Sequence, residues 1–441
     1  MAAVSQVAQL ERTTSNISTL VHENYINEVK PWLEMIDPVA ALFTQIGPGG
    51  YSLIGEKLQF AAETSYSGGF MGTDGYLPDH EQVNPQELNT TPARLYIRRA
   101  VDNFLRALAV RPGSYEDFFA RLQKQMLDAV KRGTARHIHG ATAATVATFV
   151  SRTSATVLVI DAGYGHASCA PAMFIEVGMT MALLDVSNSY ATIGAAEVSA
   201  LTYNTSSTTA TITFSTDIDT SSTGADGDVL VFATSSTSTD SHYVTERSNA
   251  PLGLMDIMDP DAAATTLLGL SESTYVRWAP QVRASSDWGH VELMEFVEEI
   301  SAKSNSEVNA QSHVITMQNG VRIELAKDLL PYQQQSNLGR TLQGGWQTVR
   351  VGEFDVVASH YHLQDVVYCL CPEDLHVVDL DGEPSVWAGD GSQFSRIANY
   401  DGAEWFIRHY VQRFASRRNN MGSLTGVSNP NAERYNAHPN S

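Results

Sequence analysis

Leu53–Thr64 (LIGEKLQFAAET), Ser65–Pro85 (SYSGGFMGTDGYLPDHEQVNP), Ala93–Leu105 (ARLYIRRAVDNFL) and Ser114–Gly140 (SYEDFFARLQKQMLDAVKRGTARHIHG) follow one another in an order that sets the architecture. A strand-like run leads into a Gly-rich polar tip, a second strand-like run returns, and a long helix follows Arg111-Pro112-Gly113. With about a dozen residues per strand, such an arm would reach roughly 40 Å. One hairpin of that length buries too little to stand alone in water. The expectation is an arm that needs a neighbouring subunit, and so an assembling protein.

Composition agrees. The 441 residues suffice for two or three domains with ample core, and the hydrophobic share of 43% is ordinary for a globular chain. No apolar run approaches the ~18 residues of a membrane helix, and no basic-then-apolar leader opens the chain. Cys169, Cys369 and Cys371 make no disulfide framework. The net charge of −21 argues against direct nucleic-acid affinity, which needs Lys and Arg on phosphates. An acidic wall would suit a container that repels a packed polyanion.

That charge is uneven. Thr153–Glu246 holds 10 acids and no Lys or Arg, so it carries −10; the remaining 39 acids and 28 bases give −11. Ser, Thr, Ala and Val dominate it, with alternating runs ATVLVI, TATITFS and GDVLVFATS between Ser/Thr-rich loops. β-branched alternation between polar clusters reads as short strands, hence a small inserted β-domain. A disordered linker is the rival.

Elsewhere helix and strand mix. Met1–Glu34 reads as a partly helical arm closed by Pro31. Ser114 with Asp117 forms a capping-box pattern for the long helix, and Leu122, Met126 and Val130 give it one apolar face. Val291, Met294, Val297 and Ile300 predict a second helix over 288–304. HVITMQNGVRIELAKDLLP predicts a strand, a turn at Asn319-Gly320 and a helix, with an Asn-Gly hairpin as the alternative. Trp346–Val378 is mostly strand.

Catalytic and metal constellations are weak. His360-x-His362 with Cys369-x-Cys371 and His376 has spacing for zinc, because strand residues i and i+2 share a face. An ordinary strand pair with cysteine as a small core residue explains the same stretch. His137 and His139 end a helix, where a solvated position near the negative dipole is expected. Asp217, Asp219, Asp226 and Asp228 lack the Gly and Glu positions of a calcium hand and read as solvated turns. No nucleophile elbow, P-loop or dinucleotide fingerprint occurs. The expectation is therefore no enzyme, no metal and no cofactor. Arg98, Arg99, Arg106 and Arg111 form a basic patch beside the arm, either a solvated face or partners for inter-subunit ion pairs.

In this order of segments the chain resembles the major capsid proteins of tailed bacteriophages, the Johnson or Hong Kong phage capsid fold. YVRWAPQVRAS, the helix around Val291–Ile300 and HVITMQNGVRIELAKDL look like that family's central A-domain. GGWQTVRVGEFDVVASHYHLQDVVYCLCPEDLHVVDLDGEP resembles its late strands, and AEWFIRHYVQRFASRRNNMGSLTGV its last P-domain strand and tail. The resemblance implies an α+β fold. Its parts would be an N-terminal arm (1–50), an E-loop hairpin (51–108), the first part of the P-domain with the spine helix (109–152), the inserted β-rich domain (153–247), the A-domain (248–362), and the rest of the P-domain with the tail (363–441). It implies self-assembly into pentamers and hexamers of an icosahedral head, built in the host cytoplasm and resident in the virion. Phe70, Tyr76, Arg98, Arg99, Arg106 and Arg111 would be subunit contacts. Double-stranded DNA would be enclosed without specific binding, a portal protein and a separate scaffolding protein would be partners, and no membrane would be involved.

Two departures bear on this. Only about 50 residues precede the E-loop, which leaves little room for a built-in scaffold, and no Lys lies between Ser65 and Pro92 for covalent cross-linking. Two other functions fit parts of the pattern. An encapsulin-type shell shares the fold and packages protein, and a Ser/Thr-rich carbohydrate-binding protein would account for the inserted window alone.

Overall fold

The computed structural model describes residues 37–46, 52–54, 57–63, 85–102, 130, 132–161, 163–166, 175–203, 209–219, 224–237, 244–259, 266–276, 278–304, 307–333, 349–351, 353–380, 385–387, 395–396, 402–427 and 429. The N-terminal arm to residue 36, the hairpin tip and most of the expected spine helix lie outside them.

The chain enters through a 3-10 turn, Pro38–Leu42, whose N-cap Asp37 accepts from the Val39 amide, with Pro38 in the first turn. Strand β1 (Thr44–Gln45) follows. Then β2 (Ser52–Ile54), β3 (Lys57–Glu63) and β4 (Pro85–Thr90) form an antiparallel three-stranded sheet in that order. This corrects the expected arm. The partner of β3 is Pro85–Thr90, in register from Leu58↔Thr90 to Glu63↔Pro85, and not Ala93–Leu105. PQELNT carries no β-branched alternation; Pro85 is tolerated as a first strand residue, and the ladder and one buried leucine, Leu88, hold the rest. At 7 residues, β3 spans about 23 Å. β5 (Ala93–Asp102) runs on into another sheet.

Helix α1 covers 132–139. A closed antiparallel barrel comes next, made of β6 (Ala147–Ser154), β7 (Val157–Asp161), β8 (Thr180–Asp185), β9 (Ala191–Tyr203), β10 (Ala210–Phe214) and β11 (Val229–Phe232). Its order is β10-β7-β6-β11-β8-β9. Inward Leu158, Ile160, Met181, Leu183, Ile212 and Phe214 are buried, as period-2 alternation demands. Its first strand crosses the boundary expected at Thr153. Its core is also continuous with Val39, Leu254, Leu363 and Tyr368 of the main body.

Asp219 and Asp228, expected in solvated turns, are buried at 1% and 3% exposure. Arg152 donates to the Asp219 carbonyl at 2.7 Å and pairs with its carboxylate at 3.3 Å. Asp228 accepts from the Val186 and Ala225 amides. These carboxylates close barrel loops by satisfying buried N–H groups.

Helix α2 (Leu254–Met258) and the short strands β12 (Thr266–Leu267) and β13 (Leu270–Ser271) lead to a mixed sheet. Its elements are β14 (Gln281–Ala284), α3 (His290–Ser304), β15 (Val314–Gln318), α4 (Asn319–Gln333), β16 (Val349–Val351), β17 (Phe354–Ser359) and β18 (Val367–Leu370). After β19 (Leu375–Asp379), β20 (Ser385–Trp387), β21 (Ser395–Arg396) and β22 (Gly402–Ala415), the sheet is completed by β23 (Gly422–Thr425). Its order is β14-β23-β18-β15-β17-β16.

Helix α4 begins at Asn319 itself, so the Asn-Gly hairpin is not formed. The Gln318 amide oxygen accepts from the Gly320 amide at 3.2 Å, which supplies the cap. On α3 the buried stripe is Leu293, Phe296, Val297 and Ile300, while Val291 and Met294, counted among its apolar positions, are exposed.

The second large sheet is organised by β22. It pairs with β19, β20 and β21, and along Gly402–Val411 it pairs with the whole of β5, from Asp102 to Ala93. The hairpin therefore continues, through β5, into β22, the longest of the described strands.

Candidate assembly surface

The root of the hairpin is clamped before the described residues give way at its tip. Leu58 and Leu88 are fully buried and pack with Leu252, Leu268, Leu270, Trp278 and Phe414. The Asn89 amide donates to the Leu268 carbonyl at 3.0 Å. Gln412 then ties three segments together. Its Nε2 donates to Thr90 Oγ1 at 2.7 Å and the Thr91 carbonyl at 2.8 Å, and its Oε1 accepts from the Leu252 amide at 2.9 Å. A buried amide with every arm bonded fixes position, since freeing any of these groups in an apolar site costs about 1–3 kcal/mol. The hairpin leaves the body from a rigid socket.

Where the chain enters, Asp37 and His139 form a buried pair, Oδ2 to Nε2 at 2.9 Å. Helix-end His137 and His139 are 8% and 0% exposed, which overturns the solvated reading. Burial, aided by neighbouring Arg136, pushes His137 down to about 3. The His362 ring packs 5.3 Å from that of His139 and accepts or donates within a closed set, Nδ1 at 3.0 Å from the Leu363 carbonyl and Nε2 at 3.3 Å from Thr316 Oγ1. Burial pushes it too down to about 3, so it stays a neutral core histidine.

The zinc constellation does not assemble. Cys369 packs among the α3–α4 core, and Cys371, past the end of β18, belongs to the other apolar cluster. Burial pushes their thiols up to about 12 and about 11, away from the thiolate a metal requires. His360 is exposed, and His376 faces Ser416 Oγ at 3.3 Å. Among the described residues no group of three or more His, Cys, Asp or Glu could hold a metal ion. No described helix is long and apolar enough to cross a membrane.

Of the expected contact residues, Phe70, Tyr76, Arg106 and Arg111 lie outside the described residues. Arg98 and Arg99 sit on β5 opposite Phe406 and Trp405. Sequence reasoning missed Arg418, which is 0% exposed. Its Nε donates to the Ile257 carbonyl, its Nη1 bonds Glu272 Oε1 at 2.5 Å, and its guanidinium lies 4.6 Å over the Trp278 ring. Also missed was a cleft of about 700 Å³ where β5 and β22 face the barrel's last strand. An Arg-Arg pair in a polar tail gives no sign of burial, so only the tertiary pairing reveals the first. The second exists only between elements distant in sequence.

No protein-family model matches the sequence, and no curated protein matches it. Solved structures do. A subunit in the capsid asymmetric unit of cyanophage A-1(L) superposes with a TM-score of 0.53 at 10% identity, over 89% of this chain and 93% of that one. The capsid of a native GTA particle gives 0.42 at 7% identity, over 88% and 90%. The SrpI encapsulin of Synechococcus elongatus PCC 7942 gives 0.39 at 10% identity, over 98% and 96%. The likeness to the cyanophage subunit identifies the fold as that of phage capsid proteins.

Proposed function

We propose that this chain is the major capsid protein of a tailed double-stranded DNA phage, assembling through repeated self-contact into the pentamers and hexamers of an icosahedral head. The capsid-protein fold carries the reading. The mechanism it suggests is strand-mediated closure. A hairpin held in a rigid socket presents strand edges, and pairing them with a neighbour satisfies their hydrogen bonds and fixes register. Identical subunits meeting through such heterologous contacts close into rings, and the rings into a shell. The net charge of −21 keeps the wall from holding DNA tightly. A separate scaffolding protein and a portal complete the proposed assembly, in the host cytoplasm. Subunit contacts are assigned to Phe70, Tyr76, Arg98, Arg99, Arg106 and Arg111, and the barrel that opens at Ala147 to an insertion that the shell-forming body carries.

Electron microscopy of the purified chain, with nucleic-acid content measured on the particles, tests this. Closed shells with five- and six-fold capsomers are expected, and deleting 66–81 should yield soluble folded subunits that no longer close. Normal shells from the deletion would refute the hairpin mechanism. Shells from infected cells filled with an enzyme and free of DNA would instead assign the chain to the encapsulin type.

A further inference from the structure

The cleft beside β5 holds an uncompensated charge. Alternate residues of a strand share a face, and His409, Val411 and Arg413 of β22 all line the cleft. Arg413 is 4% exposed, and its Nη1 is buried with no hydrogen-bond partner. Its guanidinium carbon lies 5.9 Å from the Phe43 ring centroid. The acid that acts on it through space is Asp37, but both oxygens of Asp37 are engaged, Oδ1 by the Val39 amide at 3.2 Å and Oδ2 by His139 at 2.9 Å. Burial pulls the Arg413 guanidinium down to about 10, a sign of how far it is from water.

Nor does the acid on the cleft wall serve it. Glu246 bonds Arg136, whose guanidinium in turn covers the Phe232 ring at 4.5 Å. His409 repeats the pattern: its Nε2 meets Asp379 Oδ2 at 2.7 Å, while its Nδ1 is buried without a partner. A buried cation lacking a hydrogen-bonded counter-charge is held against its own desolvation. The remaining wall is mainly apolar, with Phe232, Val411 and the half-exposed Tyr96 and Val244. A volume of about 700 Å³ falls in the range of small-molecule sites.

We propose that this cleft binds a small organic oxyanion, a carboxylate or phosphate monoester on an aromatic or apolar body, with Arg413 as its counter-charge. A planar guanidinium meets such an anion with paired N–H donors, and the body lies against Tyr96, Phe232 and Val244. The site stands apart from the assembly reading, since it needs only one subunit.

Titration calorimetry on the full chain tests it with phenylacetate and phenyl phosphate as probes, against inorganic phosphate and neutral benzyl alcohol. Saturable binding of one aryl anion per subunit is expected, at least tenfold tighter than either control, and weakened at least tenfold by Arg413→Met. Val244→Trp, which fills the cleft and leaves Arg413 in place, should weaken it equally. Absence of binding, equal binding of benzyl alcohol, or unchanged binding in Arg413→Met would overturn the site. Should Arg413→Met not fold, unchanged binding in Val244→Trp overturns it alone.

Discussion

The barrel and the long β22 sheet solve the edge problem of β-structure in opposite ways. The barrel closes on itself, every strand paired on both sides, and its loops are fastened internally by Asp219 and Asp228. The long sheet keeps β5 at its margin, bonded to β22 on one side and, among the described residues, to no strand on the other. A strand edge of ten residues with no described partner is a template for pairing, and proteins that are not meant to assemble blunt such edges. On the proposed reading, the open sheet is what neighbours use and the barrel is what they tolerate.

The largest effect should follow from cutting the open body at its buried hub. Arg418→Met removes bonds to the Ile257 carbonyl and Glu272, leaving a carboxylate at 15% exposure without its partner. Stripping one side of a buried pair costs about 3–5 kcal/mol. A denaturant midpoint within error of the parent would show that Arg418 is not a hub.

A smaller effect is expected from the barrel. A Cβ on Gly194 would stand 2.0 Å from the Ile218 carbonyl oxygen, so the backbone must move. Gly194→Ala should cost about 1–3 kcal/mol as overpacking does. Limited proteolysis should then cut the barrel first and leave β22 intact; simultaneous loss of both would break the distinction between the two regions.

Smallest is the pH effect on the open body. Burial holds His362 at about 3, below its ordinary value near 6.5. The fold thus keeps the neutral ring; its stability contribution is present above pH 6.5 and is lost as pH falls toward 3. At pH 5.5 that loss is on the order of 1 kcal/mol. His137 acts in the same sense, and Asp256, raised to about 6 by burial, in the opposite one. Comparing midpoints at pH 7.5 and 5.5, the parent should fall further than His362→Gln; an equal fall in both would remove His362 from the account.

Local pattern made much of this legible. TATITFS alternates strictly and became β10, while the unbroken apolar run VLVF within GDVLVFATS became β11. Helix α3 was readable in extent but only half in face, because Val291 and Met294 share its period without sharing its burial. β4 was not readable, since PQELNT owes its strand to Leu88 and to β3. Buried charges were the least legible. Arg413, Arg418 and Asp219 look like surface residues until β22 and the barrel loops fold over them.

Hydrogen–deuterium exchange on assembled shells against dispersed subunits tests the central claim most directly. Amides of Pro85–Thr90 and Ala93–Asp102 should become strongly protected on assembly, while those of the barrel strands from Ala147 to Phe232 stay as they were. Protection confined to the barrel, with the hairpin root and β5 unchanged, would contradict the assignment of the contact surface to the open sheet.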